Sequence, residues 1–266
     1  MNRSPAASAA LSTAGEQPDA SAALQRLVAI MQRLRDPARG CEWDREQTFA
    51  TIAPYTIEEA YEVADAIQRD DMPGLADELG DLQLQVVFHA QIAAEAGHFT
   101  LAEVIEGICD KLGRRHPHIF GDAEHSPGWE ALKAAERSEK HPDPSALAGV
   151  ALALPALERA AKLQKRAART GFDWPDADGP RAKIQEEFAE LAEAKTQQER
   201  EEELGDLLFA VVNLARFLKI GPEEALRKAN AKFERRFRAI EQAPGFAHLS
   251  LEKKEALWTA AKAQSD

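Results

Sequence analysis

Four carboxylates at helical spacing carry most of the chemistry available to this chain. Glu187 and Glu190 are three residues apart, as are Glu203 and Asp206, so each pair shares one face of a helix. A short connection, roughly residues 195–201, would make the two helices antiparallel neighbours and bring the four acids together. Left alone, such a cluster would repel itself and resist desolvation. A hard dication makes it tolerable, because an all-oxygen donor set suits that class of ion. The same pattern occurs earlier as Glu59, Glu62, Glu78 and Asp81, a possible second site.

A plainer reading is available, since acidic pairs on Ala-rich helices are usually solvated surface. Two features favour the metal site. Asp206 runs directly into the apolar stretch 207–212, which predicts that it stands at the mouth of a buried face. The carboxylates also recur at matching positions in the other half. Other metal and nucleotide chemistries lack their signatures. No His or Cys spacing suggests zinc, and Glu95 with His98 is a lone ExxH interrupted by Gly97, which disfavours a paired ExxH di-iron bundle. No GK[ST] phosphate loop or His-Asp dipeptide is present, and the Nudix-like run 200–205 is too short and has no flanking strands.

The elements that must position these acids are helices. Period-3.6 patterns predict helices over residues 23–34, 56–68, 74–96, 101–115, 129–140, 156–169, 181–194, 199–218, 222–241 and 251–263, with no convincing strand alternation. The fold class is all-α. Self-similarity organises it further: Glu58-Glu59 with Glu62 recurs as Glu186-Glu187 with Glu190, and Glu78 with Asp81 recurs as Glu203 with Asp206. Lys111-Leu-Gly-Arg114-Arg115 matches Lys232-Phe-Glu-Arg235-Arg236, in the same order. The expected organisation is a disordered tail at 1–22, a helical-bundle domain at 23–122, a linker with one charged helix at 123–155, and a second helical-bundle domain at 156–266.

Among 266 residues, 44% are hydrophobic and 29% charged, a globular profile, and the net charge of −12 makes the chain a poor non-specific binder of nucleic acid or anionic membrane. Cys41 and Cys109 are too few for a thiolate metal site or a disulfide scaffold, and no stretch spans a bilayer, so the expected location is cytoplasmic.

EExxE followed by ExxD on the next helix resembles the signature of the all-α nucleoside triphosphate pyrophosphatases. Together with Cys41-Glu-Trp-Asp44, Phe49 to Tyr55, Arg114 to His118, Gly171-Phe-Asp-Trp174 and Lys232 to Phe237, it is similar to two-domain MazG proteins over about residues 24–262. The resemblance implies Mg²⁺-dependent cleavage (Mn²⁺ may substitute) of nucleoside triphosphates to monophosphate and pyrophosphate, a homodimer, and a role in clearing nucleotides. It implies metal ligation by Glu187, Glu190, Glu203 and Asp206. Lys183, Lys232, Arg235 and Arg236 resemble triphosphate contacts, Glu186 and Glu202 further substrate contacts, and Trp258 a residue lining the nucleotide site. Glu186 or Glu187 would orient or deprotonate the attacking water. Two alternatives stay open here: a non-enzymatic helical interaction module with a structural cation, and a narrow-specificity relative of the dUTPase-like or phosphoribosyl-ATP pyrophosphohydrolase kind.

Overall fold

The computed structural model describes residues 19–121, 132 and 143–265, and the chain divides into two compact units, 1–129 and 130–266. The described residues form helices and no strands. The helix expected at 129–140 lies outside them, apart from Leu132.

The first unit begins with α1 (Ala20–Leu34), whose N-terminus is capped by Asp19 accepting from the Ser21 amide, so residues 20–22 are helical rather than part of a tail. A short α2 (Glu42–Glu46) leads into α3 (Phe49–Gln68), α4 (Met72–Glu95), α5 (Leu101–Arg115) and α6 (Pro117–Phe120). α3 starts seven residues before the predicted position. A Thr48–Thr51 capping box fixes its first turn, and Ile52 is buried, which together offset the helix-breaking tendency of Pro54. α3 and α4 pack along each other, with α1 and α5 against α4. Their shared core is Met31, Ile52, Val87, Phe88 and Ile92.

The second unit contains α7 (Ala156–Ala168), α8 (Asp178–Glu193), α9 (Gln197–Phe217), α10 (Pro222–Ile240), a 3₁₀ turn (Phe246–His248) and α11 (Leu251–Ser265). Only Ala194–Thr196 separate α8 from α9, so α9 folds back along α8. Thr196 accepts from the Glu199 amide at 3.1 Å while the Glu199 carboxylate accepts from the Thr196 amide at 2.9 Å, a reciprocal cap that sets the angle of the turn. α7 packs on α9 and α10, and α11 on α10.

One expectation needs correcting. The apolar run after Asp206 is only partly buried: Ala210 and Val212 face inward, whereas Leu208, Phe209 and Val211 are exposed. Within this unit α9 packs against α8 and α7 and, more sparingly, α10, and these three side chains remain exposed.

Candidate active site

The turn between α8 and α9 brings Glu187, Glu203 and Asp206 together, each offering one carboxylate oxygen within 4.8 Å of the others. Glu187 is 4% exposed, and it is the only one of the three that is buried. Burying a carboxylate requires a compensating charge. Lys183, one helical turn earlier on α8, supplies part of it: its Nζ lies 2.7 Å from Glu187 Oε1 and 2.7 Å from Glu186 Oε1. The two carboxylates hold the Lys183 ammonium well above the ordinary lysine range. Glu203 is pushed up from the usual carboxylate range, first by desolvation, then by the charges of Glu190, Glu187 and Asp206. Three converging carboxylates in an all-oxygen cluster form a donor set that fits a hard dication.

Of the other residues expected at the site, Glu190 is exposed and stands outside the triad, yet close enough to act on Glu203. Glu186 is also outside it, paired with Lys183. Glu202 accepts from Gln198 Nε2 at 3.0 Å on the exposed side of α9. Lys232 and Arg235 are exposed on α10, Arg236 is buried, and Trp258 on α11 packs against Phe233 with ring centroids 5.2 Å apart.

The first unit repeats the cluster. Glu59, Glu78 and Asp81 bring oxygens within 4.8 Å, and Glu62 stands close enough to act on Glu78. Desolvation, with the charges of its acidic neighbours, raises Glu59 and Glu78 above the usual range. The surroundings differ. Tyr55 occupies the position of Lys183 and packs edge-on against Trp43 at 6.4 Å. The Gln85 amide, itself buried, lies 3.5 Å from Glu59.

Beyond the triad, α9 carries a polar group that spacing did not single out. Arg216 donates to Asp173 Oδ2 at 2.9 Å and from Nη2 to Asn213 Oδ1 at 2.7 Å. This network borders a cavity of about 450 Å³, into which Gln164 of α7 also projects. Of these residues Asp173 belongs to the Gly171-Phe-Asp-Trp174 segment marked in the sequence, and aligning the repeats at Asp81 and Asp206 sets Asn213 opposite Phe88; Gln164 and Arg216 carry no local motif.

The MazG nucleotide pyrophosphohydrolase domain matches the chain twice, over residues 47–120 and 180–240. The nucleoside triphosphate pyrophosphohydrolase of Escherichia coli K12 is 51% identical over 91% of this chain and 97% of its own length. The nucleoside triphosphate pyrophosphohydrolase/pyrophosphatase MazG of Thermotoga maritima is 47% identical over 92% of this chain and 97% of its own. The uncharacterized protein YabN of Bacillus subtilis is 44% identical over 88% of this chain, a match covering 50% of that longer protein.

Proposed function

The chain belongs to the MazG nucleotide pyrophosphohydrolase family, and from that premise we propose that its second half hydrolyses (d)NTPs to (d)NMPs and pyrophosphate with Mg²⁺, serving to clear nucleotides in the cytoplasm. The observation that carries this reading is the Glu187–Glu203–Asp206 triad, closed to within 4.8 Å and edged by Lys183.

Those three carboxylates, with Glu190 at the rim, would hold Mg²⁺, or Mn²⁺ in its place. When bound, the ion neutralises phosphate oxygens and favours ionisation of water near the α-phosphorus. The protein's own contribution is placement and charge. Glu187, buried and fixed by Lys183, anchors the cluster. Glu186, outside the triad and exposed, accepts the proton of the attacking water. The water oxygen bonds to the α-phosphorus as the bridging oxygen leaves with pyrophosphate. Lys183 can turn from its carboxylate partners to the departing phosphates, a charge-assisted contact worth about 1.5–3 kcal/mol. Lys232, Arg235 and Arg236 supply further positive charge from α10, and Glu202 and Trp258 complete the nucleotide contacts implied by the family resemblance.

A homodimer is part of the same proposal. It is supported by the exposed apolar side chains of α9, with Leu208 50% and Val211 45% exposed. No nucleic-acid or membrane partner is proposed: the net charge is −12, and no helix among the described residues is long and apolar enough to cross a membrane.

The test is product identification over a panel of common (d)NTPs with Mg²⁺. Monophosphate and pyrophosphate are expected. Diphosphate with orthophosphate would contradict attack at the α-phosphorus.

A further inference from the structure

The two acidic clusters differ in how their charge is met. In the second unit the Lys183 ammonium reaches both Glu186 and Glu187 at 2.7 Å, an internal cation set against the triad. In the first, Tyr55 holds that position, turns edge-on to Trp43, and brings no charge. Among the described residues no basic side chain pairs with Glu59, Glu78 or Asp81. The first cluster therefore depends more on a cation from outside than the second does.

A second, independent feature sits against it. Glu78, Asp81 and Gln85 follow at three- and four-residue steps and so share one stripe of α4. Gln85 is 6% exposed, between the acids and the buried Val87 and Phe88. Its Nε2 stands 3.5 Å from Glu59 Oε1, beyond the span of a good N–H···O bond, and its Oε1 has no partner. A buried amide that makes one long contact and leaves its oxygen unmatched is costly. The matching position of the second unit, four residues beyond Asp206, is Ala210, equally buried and without a donor atom. The amide is thus peculiar to the cluster that lacks a lysine.

A half-turn about the last side-chain torsion exchanges the two amide atoms and sets Oε1 where Nε2 stands, 3.5 Å from Glu59 Oε1. It gives up one long hydrogen bond for contact with a full positive charge. The spacing also selects the ion. Adjacent ligands at right angles are about 2.9 Å apart around Mg²⁺, with its oxygens at about 2.0–2.1 Å, and about 3.3–3.7 Å apart around Ca²⁺, with its oxygens at about 2.3–2.6 Å. We propose that the first unit holds a dication of Ca²⁺ size, bound without nucleotide, with Gln85 as a neutral ligand beside Glu59, Glu78 and Asp81. Glu59 comes from α3 and the other three from α4, so the ion fastens these two helices together. It is a structural ion, and its presence does not depend on hydrolysis in the second unit.

The experiment uses the full-length chain with the second cluster silenced by Glu203→Gln/Asp206→Asn, so that only the first is read. Ca²⁺ and Mg²⁺ are titrated separately by calorimetry, without nucleotide, and helical content is followed by circular dichroism. One Ca²⁺ per chain is expected, bound at least about tenfold more tightly than Mg²⁺. Adding Gln85→Met is expected to weaken Ca²⁺ about tenfold or more and to narrow its lead over Mg²⁺. Gln85→Glu, which restores an oxygen, is expected to keep Ca²⁺ binding, and Glu59→Gln/Asp81→Asn to abolish it. The order of the two ions needs no change at Gln85, so it tests the proposal even where Gln85→Met disturbs folding. Absence of Ca²⁺ uptake, Mg²⁺ bound as tightly as Ca²⁺, or unchanged Ca²⁺ affinity in a folded Gln85→Met protein would each overturn it.

Discussion

Glu187 is the residue on which the site turns, because it alone of the triad is buried and it alone of the three is paired with Lys183. Both properties were legible in part: the i,i+4 step from Lys183 to Glu187 fixes their pairing on any helix, whereas which glutamate of Glu186-Glu187 turns inward depends on how α8 rolls against α9. Glu203 has a consequence that titration can reach. Its folded-state proton affinity is raised above the ordinary value of 4.5 by desolvation and then by Glu190, Glu187 and Asp206. The metal-free folded state thus binds this proton more tightly than the unfolded chain does. Its contribution favours folding at low pH and turns unfavourable as pH rises from the ordinary value through the raised one. In chelator, Glu203→Gln is expected to raise Tm over wild type at neutral pH, with the gain shrinking to nothing as pH falls below the ordinary Glu value. A gain that is the same at every pH would refute this. With saturating Mg²⁺ the variant should instead be the less stabilised of the two, because it has lost a ligand.

At the scale of elements, long periodic helices were readable and short ones were not. α5 has the predicted limits, and α7 to α10 fall within three residues of theirs at either end. α2 and α6 contain too few residues to show a period, and the start of α3 was hidden because Pro54 reads as a stop until its cap and the burial of Ile52 are known. The cavity was illegible for a related reason. It depends on Gln164, the loop 171–174 and Asn213 meeting across three segments, and no periodicity encodes that. The element most exposed to a single change is the α8–α9 turn, which sets the distance between Glu187 and the pair Glu203–Asp206. Thr196→Ala removes the cap acceptor for the Glu199 amide. It is expected to cost about 1 kcal/mol and lower Tm by about 4 °C. It should also weaken Mg²⁺ binding, since the carboxylates sit on both sides of the turn. An unchanged Tm with unchanged Mg²⁺ affinity would show that the packing of α8 on α9 sets the turn without its cap.

For the whole molecule, duplication explains why two units carry the same acidic pattern, and the structure shows where they part: Tyr55 against Lys183, and Phe88 against Asn213. The exposed side of α9 bears on assembly. Light scattering is expected to give twice the chain mass of 29.2 kDa, and Leu208→Glu/Val211→Glu to shift the protein toward that single-chain value. A monomeric wild-type protein, or a double variant that stays dimeric, would remove α9 from the interface. The central claim is that the second unit performs the hydrolysis and the first supports it without turning over nucleotide. Its most direct test is pyrophosphate release from the common (d)NTPs by Glu59→Gln/Asp81→Asn beside Glu187→Gln/Asp206→Asn, each checked for helical content. The first pair is expected to keep most of the wild-type kcat and the second to lose nearly all of it. Comparable losses from both pairs, on any substrate, would contradict the account.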